Sequence, residues 1–412
     1  MKKLLILLAL LLLPLSARAQ TRLMVVSDTH YLAPELYKGS ALFLQAMRQT
    51  DGKVPQYGEE LMAALVAQAE ALRPDALVIT GDLAFNGEKA SHIALAEWLR
   101  KIEEAGVPVY VIPGNHDINV YRPVRFLENG WEYTTPVTQE EFAAIYAPFL
   151  LPKEGGDNAG LSYHAEIGEK VWLAMLDVSF YKGSAQTFGL YTADHRDFLK
   201  GVLDQAQAAG VAVISATHQS VLAHTQFNRD GFLTMGSDQL AAQLVQGGVR
   251  LNLSGHLHIQ HTAQANGLTD IALGAFCITP HRYAWVTVAD DGSISYEARA
   301  LDDRYLPEGF AETSLNWFKD VSAEKTRSGL LTLGLPEEEI SRMTAFSARF
   351  SAAYFAGTYG SRDPSWREDP DYLLWLRPEV SSHSAYMTTI MDEENSGLLT
   401  WECPAAPREA AP

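Results

Sequence analysis

Six short apolar runs punctuate the first two thirds of the chain, and helix-like segments separate them. The runs are Leu23–Ser27 (LMVVS), Ala76–Thr80 (ALVIT), Val107–Ile112 (VPVYVI), Trp172–Leu176 (WLAML), Val211–Ala216 (VAVISA) and Val249–Ser254 (VRLNLS). Their shortness and their wealth of Val, Ile and Leu predict buried strands. Between them, Glu59–Leu72, Glu88–Ala105, Thr192–Ala209 and Ser237–Gln246 carry apolar residues at helical spacing. Strands alternating with helices predict βαβ units and an α/β fold. Gly106 and Gly210 stand where two of these helices should stop.

Two regions break the rhythm. Ile118–Lys170 is irregular, with Trp131, Tyr133, the helix-like TQEEFAAIYAPFL and a hairpin turning at Gly168-Glu169. Such an insertion either shapes a pocket or is an ordinary surface excursion. Beyond Leu301 the alternation gives way to helical stretches at Phe310–Ser328, Glu337–Ala356 and Ser381–Asp392, dense in aromatics that read as packing residues. The organisation expected is therefore a main domain over residues 20–300, a helical C-terminal domain over 301–403 that could act as a lid, and a disordered Pro/Ala tail over 404–412. No internal repeat is visible.

Residues Met1–Ala19 read differently again: two lysines, an apolar run Leu4–Leu13 and a small-residue end, Ala17-Arg18-Ala19. That is the pattern of a signal peptide cleaved after Ala19, and the run falls short of the ~20 residues a spanning helix needs. The expectation is export to the periplasm or beyond, without a stable membrane anchor. Cleavage removes Lys2, Lys3 and Arg18 and no acid, so the net charge moves from −18 to −21. A surface so acidic lacks the basic footprint of a nucleic-acid binder, and binding to a nucleic-acid polymer is not expected. The two cysteines, Cys277 and Cys403, could pair in an oxidising compartment; the alternative is two buried thiols.

The candidate chemistry sits directly after the predicted strands. Five segments carry it: SDTH with Asp28 and His30, TGDLAFNG with Asp82, PGNHD with Asn115, His116 and Asp117, ATHQ with His218, and SGHLH with His256 and His258. Loops at the carboxyl ends of strands converge in an open α/β sheet, which is where ligands gather. Imidazoles mixed with carboxylate and amide oxygens, and no thiolate, suit Mn, Fe or Zn. Two such half-sites sharing one carboxylate would hold two ions about 3.5–4 Å apart. His261, close to His256 and His258 in sequence, matches no motif position and is expected to be a strand or surface residue. His224, His164, His195 and His383 also lack motif support.

Asp-x-His, Gly-Asp, Gly-Asn-His-Asp, a lone His and Gly-His-x-His, in this order, resemble the calcineurin-like metallophosphoesterase superfamily. The resemblance covers residues 22–288. It implies two mixed β-sheets packed face to face with helices outside, a four-layer arrangement. It also implies a dinuclear centre of divalent or transition metal ions. Asp28, His30, Asp82 and His258 would hold one ion. Asp82, Asn115, His218 and His256 would hold the other, with Asp82 bridging. His116 would be the catalytic histidine, supported by Asp117. The implied reaction is in-line attack of a metal-bridging hydroxide on a small phosphoester.

Departures from individual branches narrow the substrate. Purple acid phosphatases carry a tyrosine three residues after the Gly-Asp aspartate, where this chain has Phe85. The blocks VSDTHYLAPELYKG, ITGDLAFNGEKASH and VIPGNHDIN are most similar to the bacterial branch near class III cyclic-nucleotide phosphodiesterases, in which a histidine resembling His281 is found; His281 either points towards the pocket or is structural. The leading expectation is an exported phosphodiesterase for small diesters, cyclic nucleotides among them. The alternatives are a phosphomonoesterase or nucleotidase on the same centre and a metal-binding protein without turnover.

Overall fold

The computed structural model describes residues 20–149, 160–226, 231–360, 363–393 and 398–405. The leader-like segment Met1–Ala19 and all of the tail beyond residue 405 lie outside the described residues. The strands are β1 (Thr21–Val26), β2 (Ala76–Ile79), β3 (Val109–Val111), β4 (Val124–Leu127), β5 (Gly130–Tyr133), β6 (Tyr163–Ile167) and β7 (Val171–Leu176). They continue with β8 (Ala212–Thr217), β9 (Leu251–Ser254), β10 (His261–Ala265), β11 (Leu268–Ala272), β12 (Arg282–Val288), β13 (Ile294–Ala300) and β14 (Thr400–Cys403). One six-stranded sheet runs β14-β13-β12-β1-β2-β3 and a second runs β10-β11-β9-β8-β7-β6; β4 and β5 form a separate hairpin. Both sheets are mixed. β1, β2 and β3 are parallel, as are β7, β8, β9 and β11, and antiparallel strands flank each group.

The alternation of side chains along a strand builds the layers. In β1, Leu23 and Val25 face the second sheet and pack with Leu173, Met175, Ile214, Leu251 and Leu253. Met24 and Val26 point the other way, against Leu61 and Leu65 of the helix Gly58–Leu72 and Leu95 and Leu99 of the helix Lys89–Glu104. On the far side, Trp172, Ala174 and Val213 pack on Leu199, Val202, Leu240 and Leu244 of the helices Ala193–Ala209 and Ser237–Gln246. Four layers result, helix, sheet, sheet, helix. The central strands β1, β2, β7, β9 and β11 are buried on both faces, so burial of each Val or Leu there is worth ~1.5–3 kcal/mol, and the sheets can hold strained loops at their ends.

The helices Phe310–Leu330, Glu337–Phe355 and Ser381–Asp392 share a core of Ile340, Phe346, Phe350, Trp375, Met387 and Ile390 with Leu257 and Ile259. The aromatics Phe346, Phe350, Tyr354, Tyr372 and Trp375 are packing residues, as expected. The chain then returns: β14 pairs with β13 at the edge of the first sheet, with Cys403 opposite Ile294. Cys277 and Cys403 are free thiols, which corrects the expectation of a disulfide. Cys277 is buried where its amide donates to the Asp28 carbonyl, while Cys403 belongs to the edge strand. Among the described residues, no helix is long and apolar enough to cross a membrane.

Candidate metal centre

The five motif segments are the loops that leave the carboxyl ends of β1, β2, β3, β8 and β9. The loops after β1 and β2 are stitched together: Asp28 N donates to Gly81 O at 3.0 Å, His30 N to Asp82 O at 3.0 Å and Tyr31 N to Leu83 O at 2.9 Å. One bond ties the second sheet to the first, and others brace the loops within each sheet. The His256 amide donates to the Asp28 carboxylate at 3.1 Å and Gly255 N to His218 O at 2.9 Å. The His116 amide donates to Asp82 Oδ1 at 2.8 Å.

This closeness needs an absence of side chains at two positions. A Cβ on Gly114 would stand 2.2 Å from Asp82 Oδ1, and one on Gly255 would stand 1.9 Å from Ser27 Oγ. It also needs strained backbone. Asp28 (φ 53°), His30 (38°), Asp82 (51°), His256 (68°) and His258 (59°) all lie in the left-handed region. Glycine would adopt that conformation freely but offers no ligand atom, so these L-residues accept about 1–3 kcal/mol each.

The result is convergence. Ligand atoms of Asp28, His30, Asp82 and His258 lie within 4.8 Å of one another, and so do those of Asp82, His218 and His256. Asp82 belongs to both groups. Asn115 joins the second, its Oδ1 standing 3.1 Å from His218 Nε2. The remaining ring nitrogens are held from behind. His218 Nδ1–H donates to the Thr80 carbonyl at 2.9 Å, and His258 Nδ1 binds the Asp51 carboxylate. Such outer partners fix the tautomer and aim the other nitrogen inward.

The donor set fits divalent cations. Asp82 Oδ2 is buried and makes no hydrogen bond, with His30 Nε2 standing 3.5 Å away. Burial alone would lower His218 and His258, but Asp82 acting on the first and Asp51 on the second raise both to about 9. Burial works against the charged form of Asp28 as well, yet His258 holds its carboxyl down at about 2. Carboxylates here retain protons on neighbouring imidazoles, and a bound metal would displace them. Burial, and after it the charge of His218, pushes His256 down to about 3, which keeps its ring a neutral donor.

His116 stands beside this set, its ring 5.0 Å from that of His30. Burial pushes its imidazole down to about 4. Asp117 does not support it through the ring. Both Asp117 oxygens accept backbone N–H groups, Oδ1 from Ala84 at 2.9 Å and Oδ2 from Gly114 at 2.7 Å. The residue on the ring is Asn86, whose Oδ1 lies 2.8 Å from His116 Nδ1. Asp117 thus braces the loops that carry His116 and Asp82, and Asn86 orients the imidazole.

Residues 21–260 match the model of the calcineurin-like phosphoesterases. The chain belongs to this family. Residues 302–397 match the C-terminal domain of cyclic nucleotide phosphodiesterase. Among solved structures, a dimetal phosphatase from Danio rerio is similar at 15% identity and a TM-score of 0.50, covering 68% of this chain and 96% of its own. The purple acid phosphatase PPD1 of yellow lupin is similar at 13% identity and a TM-score of 0.46, over 70% of this chain and 53% of its own. A putative 5'-nucleotidase of Staphylococcus aureus has 13% identity and a TM-score of 0.42, over 73% of this chain and 58% of its own. No curated protein sequence matches the chain significantly. The chain is thus a metal-dependent phosphoester hydrolase of the two-sheet fold, with two groups of side chains, sharing Asp82, that could each hold a divalent ion.

The structure of the phosphoesterase also sorts its other histidines. His261 opens β10, and its ring meets His224 at 3.1 Å, apart from the metal groups. His281 does not face the metals: Nδ1–H donates to Phe276 O at 2.9 Å and Nε2 meets Ser314 Oγ at 2.7 Å. Its bond to the C-terminal helix Phe310–Leu330 favours the structural reading of His281 over the pocket-facing one. Asn86, Asp51 and Lys53 are the residues near the site that sequence reasoning missed. Asn86 lies inside the quoted TGDLAFNG block, where its position four residues past Asp82 was the available signal. Asp51-Gly52-Lys53 carries only the composition of a turn.

Proposed function

We propose that this phosphoesterase hydrolyses small phosphodiesters, cyclic nucleotides among them, in an exported compartment. The observation that carries the chemistry is the pair of donor groups sharing Asp82, with His116 on the adjoining loop. Asp28, His30, Asp82 and His258 would hold one ion, and Asp82, Asn115, His218 and His256 the other. When bound, two such ions polarise a water and neutralise charge on phosphoryl oxygens. The chain does the positioning. Asn86 holds His116 by Nδ1, which leaves Nε2 to exchange a proton with a phosphoryl or leaving-group oxygen. The preference for diesters draws support from the match of residues 302–397 to a cyclic nucleotide phosphodiesterase domain. The leader-like residues Met1–Ala19 support export.

With Mn²⁺ supplied, the wild type should turn over bis-p-nitrophenyl phosphate with a kcat/KM about tenfold above that for p-nitrophenyl phosphate, the scale of one good contact. A reversed ratio assigns the centre to monoesters instead. Asp82→Ala should abolish turnover with an unchanged circular dichroism spectrum. Full activity in that variant would sink the proposed site.

A further inference from the structure

The loop Asp51-Gly52-Lys53 places a buried cation beside the metal groups. Lys53 is 8% exposed, and its nearest carboxylate oxygen, Asp51 Oδ1, is 3.9 Å from Nζ, too far for a hydrogen bond. Asp51 is itself engaged with His258 Nδ1. Among the described residues no hydrogen-bond acceptor holds this ammonium, so its three donors stay open to an incoming oxygen. An anionic oxygen arriving at the metals would supply the missing acceptor.

We infer that Lys53 is a substrate-binding residue that takes a phosphoryl oxygen of the ester, and that the C-terminal helix Phe310–Leu330 holds it there. Three contacts seat the loop. Trp317 Nε1–H donates to the Lys53 carbonyl at 3.2 Å, Val54 N donates to Cys277 O at 3.0 Å, and the Phe318 ring closes over Gly52. The same helix pairs Glu324 with Arg48 at 2.7 Å, just before the loop. Lys53 thereby links the helical domain to the phosphoryl group. A cation on this side adds to the charge that the two metals present to an anion, and it favours substrates whose phosphoryl group keeps a negative charge.

The inference rests on the phosphoesterase reading, and its test separates the two. Lys53→Met and Lys53→Arg would be loaded with Mn²⁺, their metal content counted, and binding of inorganic phosphate followed by calorimetry. Lys53→Met should keep two ions per chain and bind phosphate at least tenfold more weakly. Its KM for bis-p-nitrophenyl phosphate should rise by a similar factor, with kcat changing less. Lys53→Arg should recover most of the phosphate affinity. Phosphate affinity within twofold of wild type in Lys53→Met would overturn the inference. So would loss of metal in that variant, since Lys53 would then serve the centre through Asp51 and His258. If the wild type hydrolyses neither ester yet binds phosphate through Lys53, the proposed function fails while this assignment stands.

Discussion

Asn86 shows how much the site depends on a residue that touches no metal ligand. Its amide oxygen is the hydrogen-bond partner of the His116 ring, so it sets which nitrogen of that ring faces the substrate. An amide oxygen accepts the Nδ1 proton but cannot take it away, which confines proton exchange to Nε2. The Asn86 backbone is itself held, its N–H donating to the buried Glu88 carboxylate at 3.0 Å. Asn86→Ala should therefore lower kcat by about 10- to 100-fold, the range of a misoriented general acid or base. KM and metal content should change little. Steady-state kinetics with Mn²⁺ would decide it, and a kcat within twofold of wild type would remove Asn86 from the positioning role.

At the scale of elements, the parallel strands and the loops after them were legible because both obey local rules. β1, β2, β3, β7, β8 and β9 are buried on both faces and read as apolar runs, and ligands concentrate at their carboxyl ends. The helix at Ser237–Gln246 ends where its periodicity does. What was not legible lacked such rules. β10 and β13 are half-exposed, polar-rich strands whose pairing partners are set by the tertiary fold, and β14 joins its sheet across a long helical region. The hairpin β4–β5 is largely exposed and carries no buried stripe. The support around the metal groups escaped for the same reason: Asp51 reaches His258 across 207 residues.

The 51–53 loop is where such long-range support can be tested. Gly52 has φ +94°, and a Cβ there would lie 2.4 Å from Phe318 Cδ2. Gly52→Ala combines an unfavourable backbone with a clash against a ring that is 3% exposed, so either the loop or the helix must shift. A cost of ~1–3 kcal/mol is expected from overpacking alone. The thermal midpoint should fall and activity should drop more than in a surface glycine such as Gly292, whose added Cβ meets nothing within 4 Å. Equal activity in Gly52→Ala and Gly292→Ala would show that the loop need not be held by the helix.

Over the whole molecule, the sheet sandwich and the helical domain are joined by a bond that titrates. His281 lies between the Phe276 carbonyl and Ser314 of the C-terminal helix, and burial pushes it down to about 4 from an ordinary 6.5. The sign follows from proton counting. Between those two values the unfolded chain holds the His281 proton and the folded chain does not, so stability rises with pH through that window and levels off above it. Going from pH 7 to pH 5 should cost about 2 kcal/mol from this residue, as an upper estimate. His92, also buried and pushed down to about 4, adds to the slope in the same direction, so the wild type alone does not isolate His281. His281→Gln does. The glutamine amide can donate to Phe276 and accept from Ser314 without titrating, so the variant should lose less of its urea midpoint between pH 7 and pH 5 than the wild type. An identical loss in both would mean that the bond between the two domains carries no proton dependence.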